Sequence, residues 1–341
     1  MRRRSPTVPT APSDEIIQLI NVIFGNSSIQ QNIRVTGFEP GRVIRERFAG
    51  PRFGIEGVRA RSGRGRGGLI SPVIKPQGSS VRQLADIAYR CTLGGADIIK
   101  DDHGLANQTM APFGERVKAV SAAVAEANAR SGGSALYFVN VTGHTGSPVD
   151  EAFQAREAGA GGLLLMPGLM GFGVVQALSR DPSFDLPIMT HPSFTGPFVL
   201  TPETGVSHAI MYGVFQRLAG SDISVFPNVG GRFGFSVEEC LSIAEACRAS
   251  DGIGSADDAE PRRRHERGAR RRHGLDVWRG RGLPARRQPA ARRRGDRGGG
   301  ARHARRRRQH SGLIETTGVC PGNCGARLKD RPHFFAARRA C

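Results

Sequence analysis

From Leu69 onward, short apolar runs alternate with amphipathic stretches at a regular pace. The runs LISPVIKP (69–76), ADIIKDD (96–102), ALYFVNVTG (135–143), GGLLLMPG (161–168), LPIMTHP (186–192) and SDISVFPN (221–228) are brief and bounded by turn formers, and they predict six strands. Between them the spacing predicts helices over 79–93, 113–130, 148–158, 170–180, 202–218 and 236–249, several opened by Ser, Thr or Pro. A repeat of strand and helix builds a parallel sheet with its helices packed outside. The fold class read from the pattern is α/β, a TIM (β/α)8-type barrel that is incomplete, with about six βα units recognisable.

Net charge changes this picture at one end only. The chain carries +19, but residues 251–341 hold 25 Lys and Arg against 9 Asp and Glu, leaving 24 against 21 in residues 1–250. The tail has neither helical nor strand periodicity and consists largely of Arg, Gly, Ala and Pro, residues with GC-rich codons. That texture is expected of a GC-rich gene read out of frame from about residue 250, giving a disordered segment. An arginine-rich nucleic-acid-binding tail is the competing reading. It is disfavoured because Trp278 is the only base-stacking aromatic before Phe334. At the other end, residues 1–13 read as an unstructured leader. The apolar stretch from Ile16 to Phe24 is broken by Gln18 and Asn21, too polar and short for a signal peptide or membrane span. Six cysteines without repeated spacing fit a reducing compartment, so a cytoplasmic protein with no membrane partner is expected.

Polar side chains gather where predicted strands end, the rim on which barrel enzymes build their sites. These are Lys75; Lys100, Asp101, Asp102 and His103; Asn140, Thr142 and His144; His191; and Asn228 with Arg232. In GGADIIKDDHGL (94–105), a lysine followed by two carboxylates can ligate a hard divalent cation if CO₂ converts the ammonium to a carbamate, an oxygen donor. From the residues alone, this stretch reads equally as an exposed Lys–Asp loop.

The same stretch is similar to the GGxDxxKDDE metal-binding element of the RuBisCO superfamily, and SPVIKPQG (71–78) resembles that family's GxxIKPxxG strand. FGNSS (24–28) and FAGPRFGIEGVR (48–59) resemble the end of its N-terminal domain and the approach to its barrel, while FPNVGGRFGFSVEECLSIAEACR (226–248) resembles its loop and helix after strand six. The resemblance covers roughly residues 14–250. It implies that 14–60 is a remnant of an α+β N-terminal domain and 61–250 the barrel. It also implies Mg²⁺ held by carbamylated Lys100 with Asp102 and His103, and Lys75 as the group that moves protons. His191 is placed near the substrate, and Asn26 is lent to the site of a homodimer partner. Asn140, Gly230, Gly231 and Arg232 are expected to contact a phosphorylated small-molecule substrate.

Departures from the family pattern set the expected outcome. His103 stands where carboxylating members have Glu, Gln77 replaces a lysine, Pro192 replaces a phosphate-binding arginine, and Gly230-Gly231-Arg232 replaces the lysine-bearing loop. Each change removes a group that carboxylation needs. A non-carboxylating, RuBisCO-like enzyme is therefore expected, enolising a phosphorylated sugar or a 3-oxo sugar acid with an isomerase, enolase, decarboxylase or hydrolase outcome; a ribulose-bisphosphate carboxylase is the alternative, and the KDDHGL variant points to the sugar-acid branch. Residues 251–341 offer no counterpart to the glycine-rich phosphate loops after the last two strands, which points to a chain inactivated by truncation.

Overall fold

A computed structural model describes residues 14–230, 233–249 and 252–253. The leader 1–13, Gly231, Arg232 and the Arg/Gly-rich tail from 254 onward lie outside the described residues. The chain opens with α1 (Ile16–Phe24), a 3₁₀ turn (Asn26–Ile29), β1 (Arg34–Val35), α2 (Arg42–Arg47) and α3 (Gly54–Ser62). Strand and helix then alternate through β2 (Val73–Ile74), α4 (Val81–Leu93), β3 (Ile98–Asp101), α5 (Phe113–Ser131), β4 (Leu136–Asn140), α6 (Pro148–Glu157) and β5 (Gly162–Leu165). After these come α7 (Pro167–Met170), α8 (Phe172–Arg180), β6 (Ile188–Thr190), α9 (Gly196–Val199), β7 (Gly205–Val206), a π-helix (Ile210–Val214), α10 (Phe215–Ala219), β8 (Ile223–Ser224) and α11 (Val237–Cys247).

The six predicted runs each hold one strand of a parallel sheet ordered β2-β3-β4-β5-β6-β8, a curled half-barrel with β2 and β8 at its edges among the described residues. Helices start where local chemistry caps them. Ser80 with Gln83 and Ser236 with Glu239 form reciprocal capping boxes, and Ser147 caps α6 ahead of Pro148.

Alternation along each strand sorts the side chains onto two faces. Ile98, Phe138, Leu164, Met189 and Ile223 fill the concave side, where Val58 of α3 and Leu69 pack against them. Ile99, Tyr137, Val139, Leu163, Leu165 and Ile188 face the helices in the larger core. Ile16, Leu19, Phe24, Ile44 and Phe48 belong to that larger core too, so residues of the 14–60 segment are built into the barrel wall. Gln176 of α8 fixes its start, accepting the N–H of Ile16 and donating to the carbonyl of Asp14.

Two expected helices differ from the pattern. The 202–218 helix begins only at His208, because Gly205 adopts φ +112° hard against the Phe198 carbonyl and pairs, through β7, with β1. The 170–180 helix is interrupted at Gly171, whose φ of +85° turns the chain between α7 and α8. No described helix is long and apolar enough to cross a membrane.

Asp222, just ahead of β8, stitches the lower end of the sheet. Its Oδ1 accepts the N–H groups of Phe53 (2.7 Å) and Gly54 (2.8 Å), and its Oδ2 accepts that of Ile188 (2.9 Å). Burial pushes this carboxyl up to about 6 against the pull of those donors, so it is a carboxylate at neutral pH. Asp222→Ala would strand three N–H donors, of which those of Gly54 and Ile188 are buried. We expect it to lower stability by about 3 kcal/mol or more at neutral pH, read from the urea midpoint, and an unchanged midpoint would show that water or neighbours replace the carboxylate.

Candidate active site

The strand alternation that puts Ile98 on the concave side puts Lys100 there as well, and by the same rule Phe138 and Asn140 share that face. Register pairs Val73 with Lys100, so the β2 end carrying Lys75 lies beside the β3 end carrying Asp102. Lys100 is 4% exposed, and its Nζ donates to the carbonyl of Asp101 at 3.0 Å. Asp102 is shaped by its own turn, Oδ1 accepting the N–H of Gly104 at 2.9 Å. Lys75 Nζ stands 3.8 Å from Asp102 Oδ2, and His103 Nδ1 stands 3.7 Å from Asp102 Oδ1. With Lys75 half exposed, this ion pair is worth about 1 kcal/mol at most and does not withhold Asp102 from another cation.

Asn140 holds the far side of the turn, its Nδ2 donating to the carbonyls of His103 (3.1 Å) and Leu105 (2.7 Å). Its Oδ1 is buried without a hydrogen-bond partner among the described residues. Gly104 permits a close approach, since a Cβ there would lie 1.7 Å from Gln77 Nε2. Gln77, which the sequence marks only as a lost lysine, is thus packed against the Asp102 turn.

His191, directly after β6, stacks on His103 with ring centroids 4.3 Å apart and planes 14° from parallel. The N–H of Ser193 donates to His191 Nδ1 at 3.2 Å, with Ser193 Oγ 2.8 Å from the same nitrogen. An Nδ1 that accepts a backbone N–H leaves the ring proton on Nε2. Burial, then the charges of Lys100 and His103, push the His191 pKa down to about 2. A neutral ring with Nε2–H donates a hydrogen bond and does not accept a proton there.

Other expected site residues lie elsewhere. Asn26 is exposed in the 3₁₀ turn at the end of α1, a helix that packs on α8 and α10 at the flank of the sheet away from β2 and β3. It is not part of this chain's own cluster. Gly230 sits in the turn after β8, at the sheet edge opposite β2, with φ +74°, and its neighbours Gly231 and Arg232 are outside the described residues. Phe194, not singled out in the sequence, is held at φ +66° and 66% exposed three residues after His191. Its nearest sequence cue is the tight PSFTG turn that follows the histidine.

Among the described residues, no three His, Cys, Asp or Glu side chains come together as a metal site. Asp102 and His103 supply two donors, and Lys100 is the nearby candidate for a third. As they stand, the two ammonium groups of Lys75 and Lys100 outnumber the Asp102 carboxylate and repel a dication. A carbamate on Lys100 would turn one positive charge negative and add oxygen donors. The residues fit a divalent cation on that condition.

The family profile described as "Ribulose bisphosphate carboxylase large chain, catalytic domain" matches residues 54–232. The chain is 38% identical over 231 residues to the 5-methylthioribulose-1-phosphate isomerase of Rhodospirillum rubrum, covering 67% of this chain and 60% of that protein. It is 35% identical over 242 residues to the 2,3-diketo-5-methylthiopentyl-1-phosphate enolase of Bacillus velezensis, covering 70% and 59%. The crystal structure of a Rubisco-like protein from Rhodopseudomonas palustris superposes with a TM-score of 0.65 at 39% identity, covering 70% of this chain and 66% of that one. The chain spans about three fifths of the length of these curated relatives. With the profile matching more than half of its residues and the half-barrel carrying the lysine and acid pattern at its strand ends, the chain belongs to the ribulose bisphosphate carboxylase large-chain family, among its RuBisCO-like members.

Proposed function

We propose that this chain is a RuBisCO-like enzyme that enolises a phosphorylated sugar-type ketone, with an isomerase or enolase outcome. The observation that carries the reading is the convergence of Lys75, Lys100, Asp102, His103 and His191, drawn from the ends of β2, β3 and β6, in one cluster. Carbamylated Lys100, Asp102 and His103 would hold Mg²⁺. When bound, the cation supplies positive charge to polarise a substrate carbonyl. Lys75 takes a proton from the carbon next to that carbonyl and returns it to the neighbouring atom, so isomerisation balances without a further reactant. Neutral His191 donates its Nε2–H to a substrate oxygen and orients it, and Asn140 offers its Oδ1 acceptor or fixes the turn from below. Names of the relatives favour five-carbon methylthio sugar phosphates over the 3-oxo sugar acids suggested by the KDDHGL variant. A homodimer, with Asn26 contributed across the interface, remains part of the proposal.

A second reading, a non-catalytic remnant, draws on the unpaired edges of β2 and β8 among the described residues. One assay separates the two: solvent deuterium entering 5-methylthioribulose 1-phosphate or 2,3-diketo-5-methylthiopentyl 1-phosphate, with Mg²⁺ and bicarbonate present. The enolising reading predicts exchange by the wild-type chain and a loss of about 10²- to 10⁴-fold in Lys75→Met. No exchange by the wild type would favour the remnant, and equal exchange by the variant would remove Lys75 from its role.

The neutral donor role of His191 predicts a flat ¹⁵N chemical shift for its ring between pH 5 and 8, with the proton on Nε2 throughout. Its pKa of about 2 lies below that window, so no protonation occurs within it. A titration midpoint near 6.5 would contradict the role.

A further inference from the structure

Alternation along β3 sends Asp101 to the opposite face from Lys100, into the layer between the sheet and α5. There it meets Arg116 of α5, Nη2 to Oδ2 at 3.3 Å, with both side chains fully buried. Asp101 Oδ1 also accepts the hydroxyl of Tyr137 at 2.8 Å, and its Oδ2 accepts the N–H of Asn140 at 3.0 Å. Arg116 reaches further along the chain, its Nη1 donating to the carbonyls of Ala106 and Ala111. Its Nε has no hydrogen-bond partner among the described residues.

A fully buried pair with an unmet donor is a poor source of stability, because desolvation offsets most of its attraction and apolar side chains would fill the space as well. What the pair does achieve is geometric. It ties the β3 end, flanked by Lys100 and Asp102, to two carbonyls of the connection that runs from Asp102 to α5. Asn140 joins both halves, giving its N–H to Asp101 and its Nδ2 to the turn at His103 and Leu105.

We infer that Asp101 and Arg116 are positioning residues, a buried pair on the helix side of the sheet that holds the turn bearing Asp102 and His103 in the geometry a divalent cation needs. This rests on the cation site proposed above. Neither residue touches the cation or the substrate.

The test is Mn²⁺ binding to the full chain in bicarbonate, followed by electron paramagnetic resonance, with amide hydrogen exchange of residues 102–111 measured on the same samples. In the double variant Asp101→Asn/Arg116→Met, the introduced amide can still accept from the Asn140 N–H and donate to the Tyr137 hydroxyl, so the charge pair is lost without a stranded buried ion. We expect that variant to unfold cooperatively near the wild-type temperature, to bind Mn²⁺ about 10- to 100-fold more weakly, and to gain exchange rate across 102–111 but not across α5. Arg116→Lys, which keeps the charge and part of the reach, should recover part of both losses. It also answers the question if the double variant does not fold. Unchanged Mn²⁺ affinity in a folded double variant would overturn the inference. Absence of Mn²⁺ binding by the wild-type chain would instead overturn the cation site. Hydrogen exchange then decides the positioning role alone: faster exchange in the variant supports it, and equal exchange refutes it.

Discussion

Strand β3 buries two adjacent charges of opposite sign, and the geometry of extended chain sends them to opposite sides of the sheet. Lys100 goes to the concave side, where the strand ends converge. Asp101 goes to the helix side, where Arg116, Tyr137 and the Asn140 N–H surround it. Neither charge could be exchanged with its neighbour without leaving an ion against apolar side chains, because the concave face below Lys100 is Ile98 and Phe138 and the helix face is Ile99 and Val139. Register with β2 then fixes Lys75 beside Asp102, and the turn at Gly104 follows.

The charge balance on the concave side decides what the site can bind. Two lysines facing the single carboxylate of Asp102 suit an anion, such as a phosphorylated substrate, and repel a metal ion. Conversion of Lys100 to a carbamate reverses that balance, and His103 in place of a carboxylate makes the conversion matter more, since an imidazole adds no negative charge. The stacked His103 and His191 rings sit at the same place, and burial, with the positive charge nearby, keeps His191 neutral.

Much of the fold was legible because barrel strands are buried on both faces and read as continuous apolar runs, each bounded by turn residues. The runs overstate the strands, LISPVIKP yielding only Val73–Ile74, since apolar residues flanking a ladder are buried as deeply as those within it. The start of the 202–218 helix escapes the local pattern because Gly205 and β7 answer to Arg34 and Val35, more than 160 residues earlier, and no nearby residue carries that pairing. Lysines and acids of the site were legible from strand ends and from resemblance to the family. Arg116 was not, because an arginine on an amphipathic helix ordinarily reads as its solvated face, and only the three-dimensional position of Asp101 shows it to be buried. Ser193, which sets the His191 tautomer, was equally silent, since a serine after His-Pro reads as part of a turn.

On the proposed function, Lys100 becomes an anionic ligand before this site holds a divalent cation. The direct measurement is ¹³C NMR of the full chain in ¹³C-bicarbonate, with and without Mg²⁺, beside Lys100→Ala. A carbamate resonance that grows on adding Mg²⁺ and is missing from the variant is the predicted result. A wild-type spectrum with no carbamate signal at saturating bicarbonate and Mg²⁺, or a signal that persists in Lys100→Ala, would contradict the account.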